Sequence, residues 1–152
     1  MLSQKAKYGI RALLFLCRQE MGTPVLIRDI AEKERLPRKF LEAILLELKS
    51  AGILHSRPGK GGGYTLNRAP DSITLGRVIR LIDGPLAPIA CVSQTAYAPC
   101  RDCPQETTCV LRLVMRQVRD RTAEVLDATT FAALVEQEDL LARAGSGMDF
   151  SI

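Results

Sequence analysis

The sequence predicts a mainly α-helical chain with one small β-hairpin. A winged helix-turn-helix unit occupies residues 1–83, a cysteine-rich loop 84–104, a long dimerisation helix and a shorter C-terminal helix 105–142, and a mobile tail 143–152. Three observations carry this. Apolar residues recur at helical spacing through the first fifty residues, interrupted at Gly22 and Pro24 and again at Leu36-Pro37. Two short β-prone runs then flank a glycine-rich turn. Four of the five cysteines, Cys91, Cys100, Cys103 and Cys109, fall within nineteen residues that run from behind that unit into the start of the longest helical pattern of the chain.

The first helix covers 4–20, with Ala6, Ile10, Leu13, Leu14 and Cys17 on one face. A short second helix runs from Ile27 to Arg35 with Ile27, Ile30 and Ala31 inward. Pro37 suits the first position of a third helix, Arg38 to Ala51, which is expected to bury Phe40, Leu41, Ile44, Leu45 and Leu48 and to stop at Gly52. Two short helices joined by a tight turn behind a supporting helix make a helix-turn-helix, whose later helix enters the major groove of DNA. The runs Ile53–Arg57 and Tyr64–Asn67, joined by Pro58-Gly59-Lys60-Gly61-Gly62-Gly63, read as a wing. Thr74 caps a fourth helix, Leu75 to Asp83, with Leu75, Val78, Ile79 and Ile82 packing back.

Charge is distributed unevenly around this plan. Residues 1–80 hold fifteen Lys or Arg against seven Asp or Glu, whereas 81–152 hold six against ten. The basic half is the one expected to meet a polyanion. Candidate contacts are Arg28, Arg38 and Lys39 on the helices, with Lys33 and Arg35 nearby, and Arg57, Lys60, Gly61, Gly62 and Tyr64 on the wing, where glycine lets backbone amides approach phosphates. Glu42 is a carboxylate one turn into the reading helix, a position that suits accepting from cytosine N4 or orienting an arginine. The glycine run lacks the G-x-x-x-x-G-K-S/T order of a nucleotide loop.

No apolar run is long enough to span a membrane, and the charged N-terminal segment reads as an amphipathic helix, so a cytoplasmic location is expected. In a reducing compartment, clustered cysteines are metal ligands or redox thiols more often than structural disulfides. Their spacing is Cys-x8-Cys-x2-Cys-x5-Cys, and four soft donors beside a single histidine, His55, point to zinc or an iron–sulfur cluster, with a disulfide switch as the alternative. Cys17 reads as core. No nucleophile, base and carboxylate converge, so no enzymatic activity is expected.

Beyond the loop, Pro104 to Asp127 reads as one helix of roughly 35 Å, with Leu111, Val114, Val118 and Val125 forming a seam suited to burial against a second copy. Cys109 is expected in its first turns. Thr129 to Glu136 reads as a short final helix.

The segment LPRKFLEAILLELKSAGILHSRPGKGGGYTL, then ITLGRVIRLIDGP, the spaced cysteines and the helix ending near LDATTFAAL resemble the IscR/NsrR/RirA group of bacterial winged-helix regulators, the Rrf-two family. The resemblance implies a homodimer on a palindromic operator in double-stranded DNA. It also implies an iron–sulfur cluster, of 2Fe-2S or 4Fe-4S type, held by three loop cysteines and reporting on iron, oxygen, nitric oxide or redox balance. By position, Cys91, Cys103 and Cys109 match the three family cysteines, and Cys100 is additional. Where IscR-like members place a ligand histidine this chain has Arg112, and where NsrR-like members place an aspartate it has Lys7, so Cys100 is the candidate fourth ligand. Glu42 matches the glutamate of IscR-type reading helices, while its polar neighbour is Ala43 here, so a different operator is expected.

Overall fold

The computed structural model describes residues 2–147, and the expected tail from 148 onward lies outside them. Helix α1 spans Gln4–Cys17. Ser3 caps it, its hydroxyl accepting the Ala6 N–H at 3.0 Å, while the Ser3 amide donates to Asp83 at 2.9 Å. Helix α2 spans Ile27–Glu34 and α3 spans Arg38–Ser50. The turn between them is tight because Arg35 adopts left-handed backbone, φ 52° and ψ 51°, and the Leu36 N–H reaches back to the Ala31 carbonyl at 2.8 Å. That is a Schellman closure with arginine in the place glycine usually fills. Pro37 is the cap of α3 and not a residue of its first turn, and the helix begins at Arg38 as expected.

Strands β1 (Leu54–Arg57) and β2 (Gly63–Leu66) pair antiparallel with Leu54 opposite Leu66 and Ser56 opposite Tyr64. Val25, just ahead of α2, exchanges both backbone hydrogen bonds with Tyr64 at 2.8 and 2.9 Å, stitching the wing to the helix-turn-helix. A Cβ on Gly63, φ 143°, would collide with the Val25 carbonyl, which is why glycine stands there. Helix α4 spans Leu75–Asp83, capped by Thr74 as expected.

The core lies between α1, α3 and α4 under the wing. Leu13, Ile30, Leu41, Ile44, Leu45 and Val78 are fully buried in it. Each such side chain contributes about 1.5–3 kcal/mol relative to exposure, and this cluster holds the winged unit together. Phe40 departs from expectation: it stays 41% exposed, its ring edge-on to Tyr8 at 5.6 Å, because position 40 falls at the margin of the buried face.

Three differences concern the second half. Residues 104–109 are not part of the rod: a 3-10 turn at Glu106–Thr108 precedes helix α5, which spans Val110–Ala128, about 28 Å. Cys109 is therefore the cap of α5 and not a residue of its first turns. The final helix α6 spans Phe131–Gly147, far beyond Glu136, and so takes in the first residues of the expected tail. Its first residue, Phe131, is fully buried in the winged unit's core. Backbone bonds from Leu75 N–H to Thr129 O at 2.8 Å and from Phe131 N–H to Ile73 O at 2.9 Å dock the junction of α5 and α6 onto the start of α4. No described helix is long and apolar enough to cross a membrane.

Candidate nucleic-acid interface and cysteine centre

The starts of α2 and α3 come together against the wing. Neither helix has a side-chain cap, so the leading amides of both first turns have no side-chain acceptor, although the Asp29 N–H of α2 donates to the Leu26 carbonyl at 3.0 Å. Between them and the hairpin lies a groove of about 520 Å³ whose walls include Arg28, Arg38, Arg57, Gly62 and Tyr64. Three guanidiniums and two positive helix ends in one groove make an anion-seeking surface. Arg38 also pairs with Glu42 at 3.3 Å, so the guanidinium that lines the groove orients the carboxylate on the outer face of α3. Lys39 lies on that outer face, and Lys60 and Gly61 form the exposed wing tip, outside the groove. Lys33 lies away from it, beside Asp29 and Glu32. His55 is exposed on β1.

The cysteine loop is built around the N-terminal end of α5. A 3-10 turn, Ala90–Val92, buries Cys91 to 7% exposure. Two arginines two turns apart on α5 hold that turn: Arg112 Nε donates to the Cys91 carbonyl at 3.2 Å, and Arg119 donates to the Val92 carbonyl. Arg112 is also 3.7 Å from Glu106, whose other oxygen accepts from the Tyr97 hydroxyl at 2.7 Å and pushes that phenol's pKa up. At Cys109 the sulfur accepts the Arg112 N–H at 3.4 Å, capping the helix. The Cys103 thiol is pushed up by removal from water, against the lowering effect of the Gln105 backbone, and further by contact with Cys109 and the charge of Cys100.

Cys109 and the backbone of Cys91 are thus both tied to Arg112 at the start of α5. Among the described residues no three His, Cys, Asp or Glu side chains stand together as a metal-binding group. The donor types nevertheless fit a soft ion or an iron–sulfur cluster, which would need the loop side chains to draw in. The ties made by Arg112 and Arg119 escape a reading of periodicity alone. Their signal is the seven-residue spacing, which puts both arginines on the side of α5 facing the loop.

A family model described as "Iron-dependent Transcriptional regulator", Rrf2, matches residues 2–137. The chain belongs to the Rrf2 family. It is 39% identical over 145 residues to a protein of Rhodobacter capsulatus named rrf2-like, covering 93% of each chain. It is similar to the solved structure of Bacillus subtilis CymR, titled the global cysteine regulator, at 31% identity and a TM-score of 0.74, covering 90% of this chain and 97% of that one. A solved IscR of T. potens matches at 28% identity and a TM-score of 0.70, covering 91% and 88%. Rrf2 proteins are DNA-binding transcription regulators with a winged helix, the fold described above for this chain.

Proposed function

We propose that this Rrf2 protein is a cytoplasmic homodimer whose grip on a palindromic operator is set by an iron–sulfur cluster on Cys91, Cys100, Cys103 and Cys109. The observation that supports it is where two of the cysteines sit: Cys109 caps α5, and Arg112 and Arg119 of that helix hold the Cys91–Val92 turn. The family description as iron-dependent points the same way. A cluster supplies a group whose oxidation or loss changes the charge and shape of its binding loop. The chain's part is to pass a change in the 84–109 segment through the two arginines into α5. The second copy is implied by α5 itself, which has no buried residue and leaves Leu111, Val114, Val118 and Val125 in water.

Anaerobic protein supplied with iron and sulfide should turn brown and bind iron. Operator affinity should differ five- to a hundredfold between cluster-bound and cluster-free forms, corresponding to a coupling of about 1–3 kcal/mol. Equal affinity in both forms, and in the Cys103→Ser, Cys109→Ser double variant, refutes the control. A colourless protein carrying zinc would assign the loop a structural metal instead. A thiol switch is the second reading, supported by the Cys103–Cys109 contact. It predicts that peroxide-treated, metal-free protein carries a Cys103–Cys109 bridge by mass spectrometry.

A further inference from the structure

Helix α3 has two sharply different faces. Leu41, Ile44, Leu45 and Leu48 are fully buried, whereas Lys39, Glu42, Ala43 and Leu46 form the opposite, exposed strip, in which Lys39 neighbours Glu42 and Ala43, and Leu46 neighbours the same two residues one turn on. Leu46 keeps 56% of its surface in water. The fold gains little from a leucine there, since α3 is already anchored by its other face.

What covers Leu46 follows from continuity. Its line begins beside the Arg38–Glu42 pair, and Arg38 is a wall of the arginine groove. The exposed line is thus the extension of the anion-seeking surface along the reading helix, and its occupant is the floor of a DNA major groove. From Lys39 to Leu46 is about 10 Å along the axis, or roughly three base-pair steps. Lys39 and Glu42 are polar, but Ala43 and Leu46 present only carbon. Among the groups that base pairs expose in the major groove, the thymine C5-methyl is the one an apolar side chain complements.

We propose that Leu46, with the Ala43 methyl beside it, reads a thymine C5-methyl in each operator half-site. This residue pair, beyond the arginines and Glu42, sets part of the sequence preference. The inference rests on the DNA-binding reading of the family and goes past it by naming what one residue recognises.

The test uses the full chain and duplexes selected from a random library. Each thymine of the selected site is replaced in turn by deoxyuridine, which removes the methyl and nothing else. One position per half-site should weaken about three- to fivefold, the scale of one buried methyl. Leu46→Ala should bind the thymine and uracil duplexes equally at that position while keeping every other preference. Absence of any methyl-sensitive thymine overturns the proposal, as does the same sensitivity in Leu46→Ala. Unchanged affinity of Leu46→Ala for every duplex also overturns it and turns Leu46 toward a protein partner. Failure of the selection to yield any site would remove the DNA-binding reading itself, and this one with it.

Discussion

Replacing Val118 by Asp tests whether α5 is buried against a second copy. Leu111, Val114, Val118 and Val125 stand 57%, 50%, 42% and 64% exposed in the single chain. Complete burial of one such side chain is worth about 1.5–3 kcal/mol, so together they offer roughly 3–6 kcal/mol per protomer, and twice that in a symmetric pair. Association entropy consumes much of this, leaving a dimer sensitive to a single change. Val118→Asp removes about 1 kcal/mol of apolar burial per protomer and brings two carboxylates into a dry seam at several kcal/mol. A combined loss of about 4 kcal/mol or more weakens the dimer at least a thousandfold. Sedimentation equilibrium should show the wild type as a dimer and the variant as a monomer at micromolar concentration, with unchanged helical circular dichroism because Val118 is outside the core. A Val118→Asp protein that remains dimeric would refute the assignment of this seam.

In folded, cluster-free protein the exposed Cys100 should alkylate first and Cys17 last: burial outweighs the nearby Arg18 charge and pushes the Cys17 thiol up to about 11, so roughly one molecule in a thousand is thiolate at pH 8. Mass spectrometry of a labelling time course checks it, and comparable rates would contradict it. Phe131→Ala should cost about 3–5 kcal/mol and lower the melting temperature by roughly 6–20 °C, since the ring is fully buried where α6 enters the core. The Arg80 hydrogen bonds, at 2.6 and 2.9 Å, hold the Asp127 carboxyl below the usual carboxylate range. Their contribution is therefore present above the unfolded value of about 4 and lost as pH falls through the lower folded value. With both side chains over a third exposed, solvent screening leaves about 0.2–1 kcal/mol, so the melting-temperature gap between wild type and Asp127→Asn should persist at pH 7 and vanish near pH 2. Lys60→Ala should weaken every duplex alike and flatten the salt dependence, as titrations at several salt concentrations would show; loss confined to one sequence would assign Lys60 to base reading.

The reading unit was legible because each of its helices pairs a clear buried face with a local stop signal. Thr74 caps α4 as expected, and Gly52, φ 75°, closes α3. What misled was composition without periodicity. The run Pro104–Thr108 carries no strong breaker after its proline, yet its polar side chains find no face to bury, and it forms a 3-10 turn before Cys109 caps the helix. In α6 the error ran the other way: Leu140 and Leu141 stay exposed, so no buried stripe marks the helix, and its Ala, Leu and Glu content sustains it instead. At the candidate site, spacing singled out the four cysteines, but among the described residues no three such side chains stand together. Spacing gave no means of telling that Cys109 caps α5 while Cys91 is held through its carbonyl, since those facts depend on how a proline-rich loop wraps a helix end.

The docking of α5 has a mechanical consequence. Its C-terminal end is clamped to the winged unit by Asp127, by the Thr129 carbonyl and by the burial of Phe131, whereas its N-terminal end is hydrogen-bonded to the cysteine segment through Arg112. It is a cantilever fixed at the root. Over a length of about 28 Å, a 1 Å displacement of the free tip tilts the beam by roughly 2°. In a pair of such beams joined along their flanks, that tilt is delivered to both roots at once, so the separation between two DNA-facing heads can be adjusted without unfolding either of them.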